Sequence, residues 1–209
     1  MAPRYHAILF DLLTALLDSW SVWDIAAGSH ECGRNWRAEY LKRPYGCGAY
    51  RPYETLAQEA AESVGLTAQH AAALEANWTT LAPWPCVVPT LAALAPTHRL
   101  GVVTNCSERL GRIAARQVGV DFEVVVTSER AGFYKPDPRP YRLALEELGL
   151  AAERVLFVAG SAYDLFGTAQ VGLDTYWHNR IGLTAPPGAP APLIESRTLE
   201  ALPQLALRR

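Results

Sequence analysis

The sequence predicts an α/β fold: a Rossmann-like parallel sheet core with a helical cap inserted after its first strand. Three observations support this fold class. Short apolar runs end at or near polar residues, helical patterns separate these runs, and a tryptophan-rich stretch lies between the first run and the second. Continuous apolar strands that alternate with helices are typical of a parallel sheet covered on both faces.

The predicted strands are short and almost wholly apolar. They are Ala7–Asp11, Leu100–Thr104, Val124–Thr127, Val155–Ala159 and Thr175–Trp177. Two segments between them have helical spacing, Ser107–Val118 and Pro138–Leu148. The first begins at a serine suited to an N-cap, and the second begins at a proline suited to a first helical turn. Ligands of parallel sheets bind beyond the carboxyl ends of the strands, so we expect the functional site there.

Residues 19–85 differ from the rest of the chain, since they contain five of the six tryptophans. Three segments within this stretch have helical spacing: Asn35–Leu41, Tyr53–Val64 and Ala68–Leu81. We therefore expect residues 1–18 and 86–209 to form the core and residues 19–85 to form the cap. A proline-rich loop over residues 184–192 and a closing helix over Leu199–Leu207 complete the predicted chain.

The composition excludes several classes of protein. Half of the 209 residues are hydrophobic and 19% are charged, which excludes a disordered chain. The formal net charge of -2 gives no sign of a nucleic-acid or membrane surface as partner. No stretch approaches the roughly 20 apolar residues of a membrane span, and the first strand begins too early for a signal peptide. Four scattered cysteines suit reduced thiols, so we expect a cytoplasmic protein.

Asp11 and Lys135 carry the strongest indications of chemistry. Asp11 closes the first predicted strand, where a carboxylate can act as a nucleophile, a metal ligand or a base, or can simply cap a turn. Lys135 is one of two lysines among 19 basic residues. It precedes a proline, which favours an extended backbone and directs its ammonium away from any helix. A surface lysine is the alternative interpretation.

Polar residues also follow two other strands. Thr104 and Asn105 end the second strand with a hydroxyl and an amide, which suit either a binding site or a turn. The run AGSAYD ends the fourth strand and contains Ser161 and Asp164. The carboxylate of Asp164 can orient Lys135 or cap the next helix.

These elements together resemble a known family. The order FDLLTALLD, VVTN, YKPDPRPY and VLFVAGSAYD is similar to the four motifs of the haloacid dehalogenase superfamily of hydrolases. The inserted segment resembles the helical cap between that family's first two motifs, and the resemblance covers nearly the whole chain. It implies that Asp11 is a nucleophile supported by Lys135.

The resemblance also separates branches of this superfamily. Its phosphatases usually place a second Asp two residues after the nucleophile, and a Gly-Asp-Ser run in the fourth motif, to help hold magnesium. These places are Leu13 and residues 159–161 (Ala-Gly-Ser) here. A hard dication prefers carboxylate oxygens, and only Asp11 and Asp164 remain. We therefore expect neither a metal nor another cofactor.

The pattern is instead similar to the metal-free L-2-haloacid dehalogenase branch. The matching positions are Trp36 and Arg37 on a cap helix, Thr104 and Asn105, Lys135 and Tyr141, Ser161 and Asp164, and Trp177, Asn179 and Arg180. Two positions depart from that branch. Its Gly-Thr after the nucleophile is Thr14-Ala15 here, and the first Ser of its fourth motif is Ala159. Both lie close to the nucleophile, so the substrate is less defined than the fold.

This branch implies hydrolytic displacement at carbon 2 of a short 2-substituted carboxylic acid, through an ester on Asp11. Asp164 is expected to orient Lys135 and to help activate water. The other implied residues bind the substrate or the leaving group. They are Arg37 and Asn105 for the leaving anion, Thr104 and the main-chain N–H groups of Leu12, Leu13 and Thr14 for the substrate carboxylate, and the neighbouring Tyr141 and Ser161.

Three other interpretations stay open. A sister hydrolase can use the same site to break a C–N bond beside a carboxylate, as in azetidine-2-carboxylate hydrolases, which resemble this branch. A magnesium phosphatase with a degenerate site is the second. The third is a non-catalytic member that binds a small acid or serves as an interaction module. The expected partner is a small-molecule carboxylic acid, and a homodimer is compatible with the sequence.

Overall fold

The chain folds around one six-stranded sheet in which every paired strand is parallel. The computed structural model describes residues 3–207. The strands are β1 (Ala7–Phe10), β2 (Arg99–Thr104), β3 (Val124–Thr127), β4 (Val155–Ala159), β5 (Asp174–His178) and β6 (Ile194–Ser196). Their order in the sheet is β3-β2-β1-β4-β5-β6. The predicted α/β fold class is therefore confirmed.

Strand β1 lies in the middle of the sheet and sets the place of the site. It pairs with β2 on one side and β4 on the other, so that Phe10 lies opposite both Val102 and Val158. All four residues of β1 are buried. Because the three strands are parallel and end within two residues of one another in register, the residues that follow them meet at one edge of the sheet.

Ten helices surround the sheet in the part of the chain that is described. They are α1 (Ser19–Ala27), α2 (His30–Gly46), α3 (Tyr53–Ser63), α4 (Ala68–Ala76), α5 (Val87–Leu94), α6 (Glu108–Gln117), α7 (Ser128–Ala131), α8 (Pro138–Leu148), α9 (Asp164–Val171) and α10 (Leu202–Leu207). No helix over residues 3–207 combines the length and the apolar character that crossing a membrane requires.

Four helices, α1 to α4, lie within residues 19–85, where the sequence predicted three. The first was missed because its mixed SWSVWDIAA run has a weak helical pattern, although Asp18 caps it by accepting from the N–H groups of Trp20 and Ser21. Helix α2 is longer than predicted at both ends. Helix α4 is shorter, because a 3₁₀ turn (Asn77–Thr80) follows it.

The two connections between this helical insertion and the core run side by side. Leu17 and Pro83 form an antiparallel bridge. The N–H of Asp18 donates to the carbonyl of Ala82 at 2.8 Å, and the N–H of Trp84 donates to that of Leu16 at 3.0 Å. The assignment of residues 19–85 as a separate subdomain stays a prediction.

The apolar core has one cluster on each face of the sheet. Ile8 and Phe10 of β1 point to the face that continues into the insertion, where Trp36 is among the largest buried side chains. Ala7 and Leu9 point to the opposite face, covered by α8 and α9. This alternation is what a strand buried on both faces requires.

Some short elements were not predicted. Helix α5 follows the PWP segment and carries a proline in its first turn, a position where proline is tolerated. Strand β6 has three residues and none is fully buried, so it has no apolar signal. Strand β5 is two residues longer than predicted, and the closing helix α10 begins three residues later.

Candidate active site

Asp11 is held by the turn that follows β1. Residues Leu12–Leu16 form a single π-helical turn, and Asp11 occupies its N-cap position in an extended conformation. Its Oδ2 accepts from the N–H of Thr14 at 2.8 Å, from the N–H of Ala15 at 3.1 Å and from the hydroxyl of Thr14 at 2.5 Å. The carboxylate is 6% exposed, so the turn supplies the hydrogen bonds that water would otherwise make.

Lys135 lies between two carboxylates. Its Nζ donates to Asp11 Oδ1 at 2.8 Å and lies 3.0 Å from Asp164 Oδ1. All three side chains are buried. The loop before α8 therefore brings an ammonium to the two acidic residues that follow β1 and β4, and the structure places the three predicted catalytic residues together.

The pKa values of the two carboxyl groups are shifted in opposite directions. Burial alone raises the pKa of Asp11, but the charge of Lys135 and the bonds from Lys135 and Thr14 outweigh it, so that pKa lies below its ordinary value. Burial raises the pKa of Asp164 above its ordinary value, although Lys135 opposes that shift. Burial lowers the pKa of Lys135, but the two carboxylates raise it by more, so that pKa lies above its ordinary value. Asp11 is thus the group held ionised.

Tyr141, expected to bind substrate, lies beside Asp164, and its role in binding stays a prediction. It is fully buried in α8, and its hydroxyl donates to Asp164 Oδ1 at 2.6 Å. Its ring packs edge-on against Phe157 of β4. The spacing from Lys135 placed Tyr141 near the site correctly, but its contact is with the carboxylate rather than with the cavity.

Asn105 holds the main chain of Lys135. Its Oδ1 accepts from the N–H of Lys135 at 2.8 Å and from the Ser128 hydroxyl at 2.8 Å, and its Nδ2 donates to the Lys135 carbonyl at 3.0 Å. Asn105 also lines the cavity, and its amide has a second N–H group available for a ligand.

Thr104, expected to bind the substrate carboxylate, ends β2 with a buried side chain, and its role in binding stays a prediction. It is 1% exposed and its hydroxyl lies 3.8 Å from the sulfur of Cys106. The alternation of strand residues explains this orientation, because Thr104 is the last residue of β2 and its side chain points into the apolar core.

The residues after Asp11 divide into two groups. Leu13 and Thr14 line the cavity, whereas the Leu12 side chain is wholly buried in the core. The N–H groups of Thr14 and Ala15 already bind Asp11, so these two donors are not free for the substrate carboxylate. Ser161 lies on the cavity wall, as expected, in the loop after β4.

Arg37 of α2 enters the same cavity from the opposite side. It is 6% exposed, donates to the hydroxyl of Ser19 at 2.9 Å, and has its guanidinium carbon 3.8 Å from the centre of the Trp20 ring. Burial lowers its pKa to about 10, partly opposed by Tyr53 and Asp11. No carboxylate within residues 3–207 forms an ion pair with it, so its charge at neutral pH is available to an anion.

The cavity between the two sides has a volume of about 220 Å³. Its walls from the insertion and the loop after β4 are largely aromatic, whereas the sequence favoured core packing for most of the rings in the insertion. The aromatic residues in these walls are Trp20, Trp23, Tyr40, Tyr45, Tyr53 and Tyr163. The excess of aromatic residues in the insertion was the available signal, but such rings usually pack in cores. Leu183, Thr184 and Pro186 of the proline-rich loop close another side.

The donor set of the site suits a lysine better than a divalent cation. Asp11 and Asp164 supply the carboxylates, and the Lys135 ammonium already lies at 2.8 Å and 3.0 Å from them. A dication between these oxygens would have to displace that ammonium, since like charges repel strongly in a buried site. The residues of the site therefore do not fit a magnesium ion.

Comparison with known proteins agrees with this geometry. Residues 21–172 match the family model of haloacid dehalogenase-like hydrolases. The chain is 28% identical over 216 residues to (S)-2-haloacid dehalogenase 1 of Pseudomonas sp. (strain CBS-3), covering 97% of this chain and 94% of that protein. It is 28% identical over 196 residues to haloacetate dehalogenase H-2 of Moraxella sp. (strain B), covering 86% of this chain and 88% of that protein.

A solved structure shows the same similarity over the whole fold. The crystal structure of an L-2-haloacid dehalogenase superposes with a TM-score of 0.86 and 25% sequence identity, covering 97% of this chain and 99% of that chain. The overall fold of this chain is thus similar to that of the solved structure.

Proposed function

The chain belongs to the haloacid dehalogenase-like hydrolase family, and within it we propose that this protein displaces the substituent, most often a halide, at carbon 2 of a short 2-substituted carboxylic acid without a metal ion. One observation carries the proposal. An ionised carboxylate, Asp11, and a buried arginine that pairs with no carboxylate of residues 3–207, Arg37, line the same aromatic cavity. The carboxylate suits the role of a nucleophile, and the arginine suits the binding of a leaving anion.

In the first step of the proposed reaction, an oxygen of Asp11 attacks carbon 2 from the side opposite the leaving group. The carbon–halogen bond breaks as the ester bond forms, and the configuration of carbon 2 is inverted. Lys135 keeps the attacking carboxylate ionised. Arg37 stabilises the departing anion, together with the free N–H of Asn105, because both side chains line the cavity.

In the second step, water hydrolyses the ester at the Asp11 carbonyl carbon. Asp164 accepts a proton from this water. The negative charge of Asp11 is one of the causes that raise the pKa of Asp164. Ester formation removes that charge and therefore removes this cause. Lys135 then faces one carboxylate instead of two, so Asp164 is better stabilised as an anion when a base is needed.

Halide release from a panel of 2-chloro-, 2-bromo- and 2-fluoroacids tests the substrate class. We expect release of halide and the matching 2-hydroxyacid without added metal, and unchanged rates after dialysis against EDTA. An activity lost with EDTA and restored by magnesium would assign the protein to the phosphatases. Release of an amine from a cyclic amino acid, with no halide release, would support C–N hydrolysis instead.

A single turnover in ¹⁸O-labelled water, with enzyme in excess, tests the covalent route. Because water attacks the ester carbonyl, we expect the label in the Asp11 peptide and none in the product. Label that appears directly in the product, with an unlabelled peptide, would mean that Asp11 activates water instead of forming an ester.

A further inference from the structure

The two oxygens of the Asp11 carboxylate lie in different surroundings. Oδ2 accepts from the N–H of Thr14 at 2.8 Å, the N–H of Ala15 at 3.1 Å and the hydroxyl of Thr14 at 2.5 Å. Oδ1 accepts from Lys135 Nζ at 2.8 Å. Since a carboxylate oxygen has two lone pairs, the three donors saturate Oδ2, whereas Oδ1 keeps a lone pair for reaction.

We infer that Oδ1 is the oxygen that forms the ester, and that the donors of Thr14 and Ala15 form an oxyanion hole for the hydrolysis of that ester. The inference rests on the proposed function, because it requires an ester on Asp11. Once Oδ1 is alkylated, Oδ2 is the carbonyl oxygen of the ester. Water addition at Cγ then places a negative charge on Oδ2, where three donors already point.

The bonds and protons of this sequence balance. The halide leaves carbon 2 with the bonding electron pair as the bond from Oδ1 forms. Water adds to Cγ and gives one proton to Asp164. The bond from Cγ to Oδ1 then breaks, and Oδ1 leaves as the product hydroxyl with the proton from Asp164. The remaining Asp11 carboxyl loses its proton to solvent, so each turnover yields a hydroxyacid, a halide and one proton.

The Thr14 hydroxyl reaches Oδ2 because Gly160 leaves room for it. Gly160 packs directly against the turn, and a Cβ at that position would overlap Thr14 Oγ1 and the main-chain nitrogen of Ala15. The hydroxyl lies one position earlier than in the Gly-Thr pair of the dehalogenase branch, yet it donates to the nucleophile. Thr14 and Ala15 therefore supply the donors to Oδ2, and Gly160 leaves the space that these donors occupy.

The oxyanion hole affects the two chemical steps differently. In the free enzyme, its donors stabilise the negative charge that ester formation removes, so they do not accelerate that step. In ester hydrolysis, charge returns to Oδ2, and the same bonds are stronger in the transition state than in the ester. Loss of the Thr14 hydroxyl is thus expected to slow the second step selectively, whereas a general loss of structure would slow both.

The test compares Thr14→Val, which keeps the branched shape without the hydroxyl, with Thr14→Ser, which keeps the hydroxyl. Each protein is mixed rapidly with excess (S)-2-chloropropionate, and halide release and the intact mass of the quenched enzyme are followed. We expect Thr14→Val to slow ester hydrolysis on the order of 10²-fold. It should show a burst approaching one halide per enzyme and should accumulate the ester, while Thr14→Ser, which keeps the donor, should slow ester hydrolysis less and accumulate less ester than Thr14→Val.

Gly160→Ala is the second variant, because it displaces the hydroxyl while Thr14 is present. It should also accumulate the ester. The inference is overturned if both steps slow equally, or if neither variant accumulates more ester than a wild type that turns over. Either result leaves the proposed function intact. If the wild type releases no halide and forms no ester with any member of the 2-haloacid panel, the proposed function and this inference both fail.

Discussion

The two sides of the cavity differ in how their charges are balanced. On the core side, Lys135 lies 2.8 Å from Asp11 and 3.0 Å from Asp164, and the three groups are buried together. On the insertion side, Arg37 is equally buried, but its contacts are the Ser19 hydroxyl and the Trp20 ring. The core pairs its charged groups with one another, whereas the insertion holds a cation that no carboxylate of the described residues pairs with.

This difference indicates two separate tasks. A buried charge is costly unless it is paired, so an arginine that pairs with no carboxylate between residues 3 and 207 indicates an anion supplied from elsewhere. The paired lysine instead prepares a carboxylate that belongs to the protein. The core side thus suits bond formation, and the insertion side suits the acceptance of a negative group that arrives or departs.

The largest effect is expected from removing the ammonium that pairs with the two carboxylates on the core side. Lys135→Ala leaves two buried carboxylates without their cation, and we expect turnover to fall on the order of 10³-fold. Thermal unfolding should show a loss of about 3–5 kcal/mol in the free energy of unfolding. Lys135→Arg should be a poor replacement, since a planar guanidinium cannot occupy the place of a compact ammonium.

The matched control for this variant is Lys42→Ala. Lys42 is the other lysine of the chain and forms an ion pair with Glu39 at the surface. Its replacement should change neither the rate nor the melting temperature measurably, because exposed ion pairs contribute little. Near wild-type turnover in Lys135→Ala would remove the lysine from the mechanism.

The second prediction concerns the insertion side. Arg37→Met removes the charge and keeps the length, and we expect kcat/KM for 2-haloacids to fall on the order of 10²-fold. The melting temperature should stay unchanged or rise, because an unpaired buried cation is lost. The contrast with Lys135→Ala, which loses both rate and stability, is the measurement that sharpens the comparison.

Arg34→Met is the control for Arg37→Met. Arg34 lies on the same helix and also packs on the Trp20 ring, at 4.3 Å, but it does not line the cavity. It should retain its rate. Equal losses in the two variants would mean that packing on Trp20, not the charge at the cavity, supports catalysis.

The third prediction concerns pH. Because the pKa of Asp11 is lowered in the folded protein, the nucleophile stays ionised, and stabilises the fold, at pH values above that lowered pKa. The acid limb of kcat/KM, which reports the free enzyme, should therefore lie below the ordinary pKa of an aspartate. In Lys135→Arg the limb should move to higher pH, because the bond from the ammonium is lost. An acid limb at or above the ordinary value in the wild type would contradict this assignment.

The sheet could be predicted from the sequence because its strands are apolar on both faces. The buried runs of β1, β2 and β4 have no other plausible place in a folded chain. Helix α1 and strand β6 were missed for the opposite reason. Their stability comes from a capping residue and from pairing with a neighbour, and neither leaves a periodic apolar pattern.

The same difference separates the features of the site that could be predicted from those that could not. Strand-end positions placed Asp11 and Asp164 in one region, since the ends of parallel strands coincide, and the family resemblance added Lys135 to them. The direction of single side chains could not be predicted. Thr104 points into the core and Tyr141 binds a carboxylate, because each direction depends on packing from elements distant in sequence. The rings that line the cavity could not be distinguished from core rings for the same reason.

The smallest effect is expected from Tyr141→Phe. The Tyr141 hydroxyl donates to Asp164 at 2.6 Å and does not touch Asp11. Burial is the largest cause that raises the pKa of Asp164, and the bond from Tyr141 is one of those that lower it. Its loss should raise that pKa further, so the acid limb of kcat should move to higher pH when ester hydrolysis limits the rate.

A hydrogen bond to a charged group contributes about 1.5–3 kcal/mol, so kcat should fall roughly ten-fold while the halide burst is nearly unchanged. The matched control is Tyr5→Phe, which removes a hydroxyl that donates to Asp174 at 2.7 Å, far from the cavity. A slower burst in Tyr141→Phe would contradict the assignment. It would mean that Tyr141 positions Lys135 for ester formation, and that the core side is a single coupled unit rather than one carboxylate for each step.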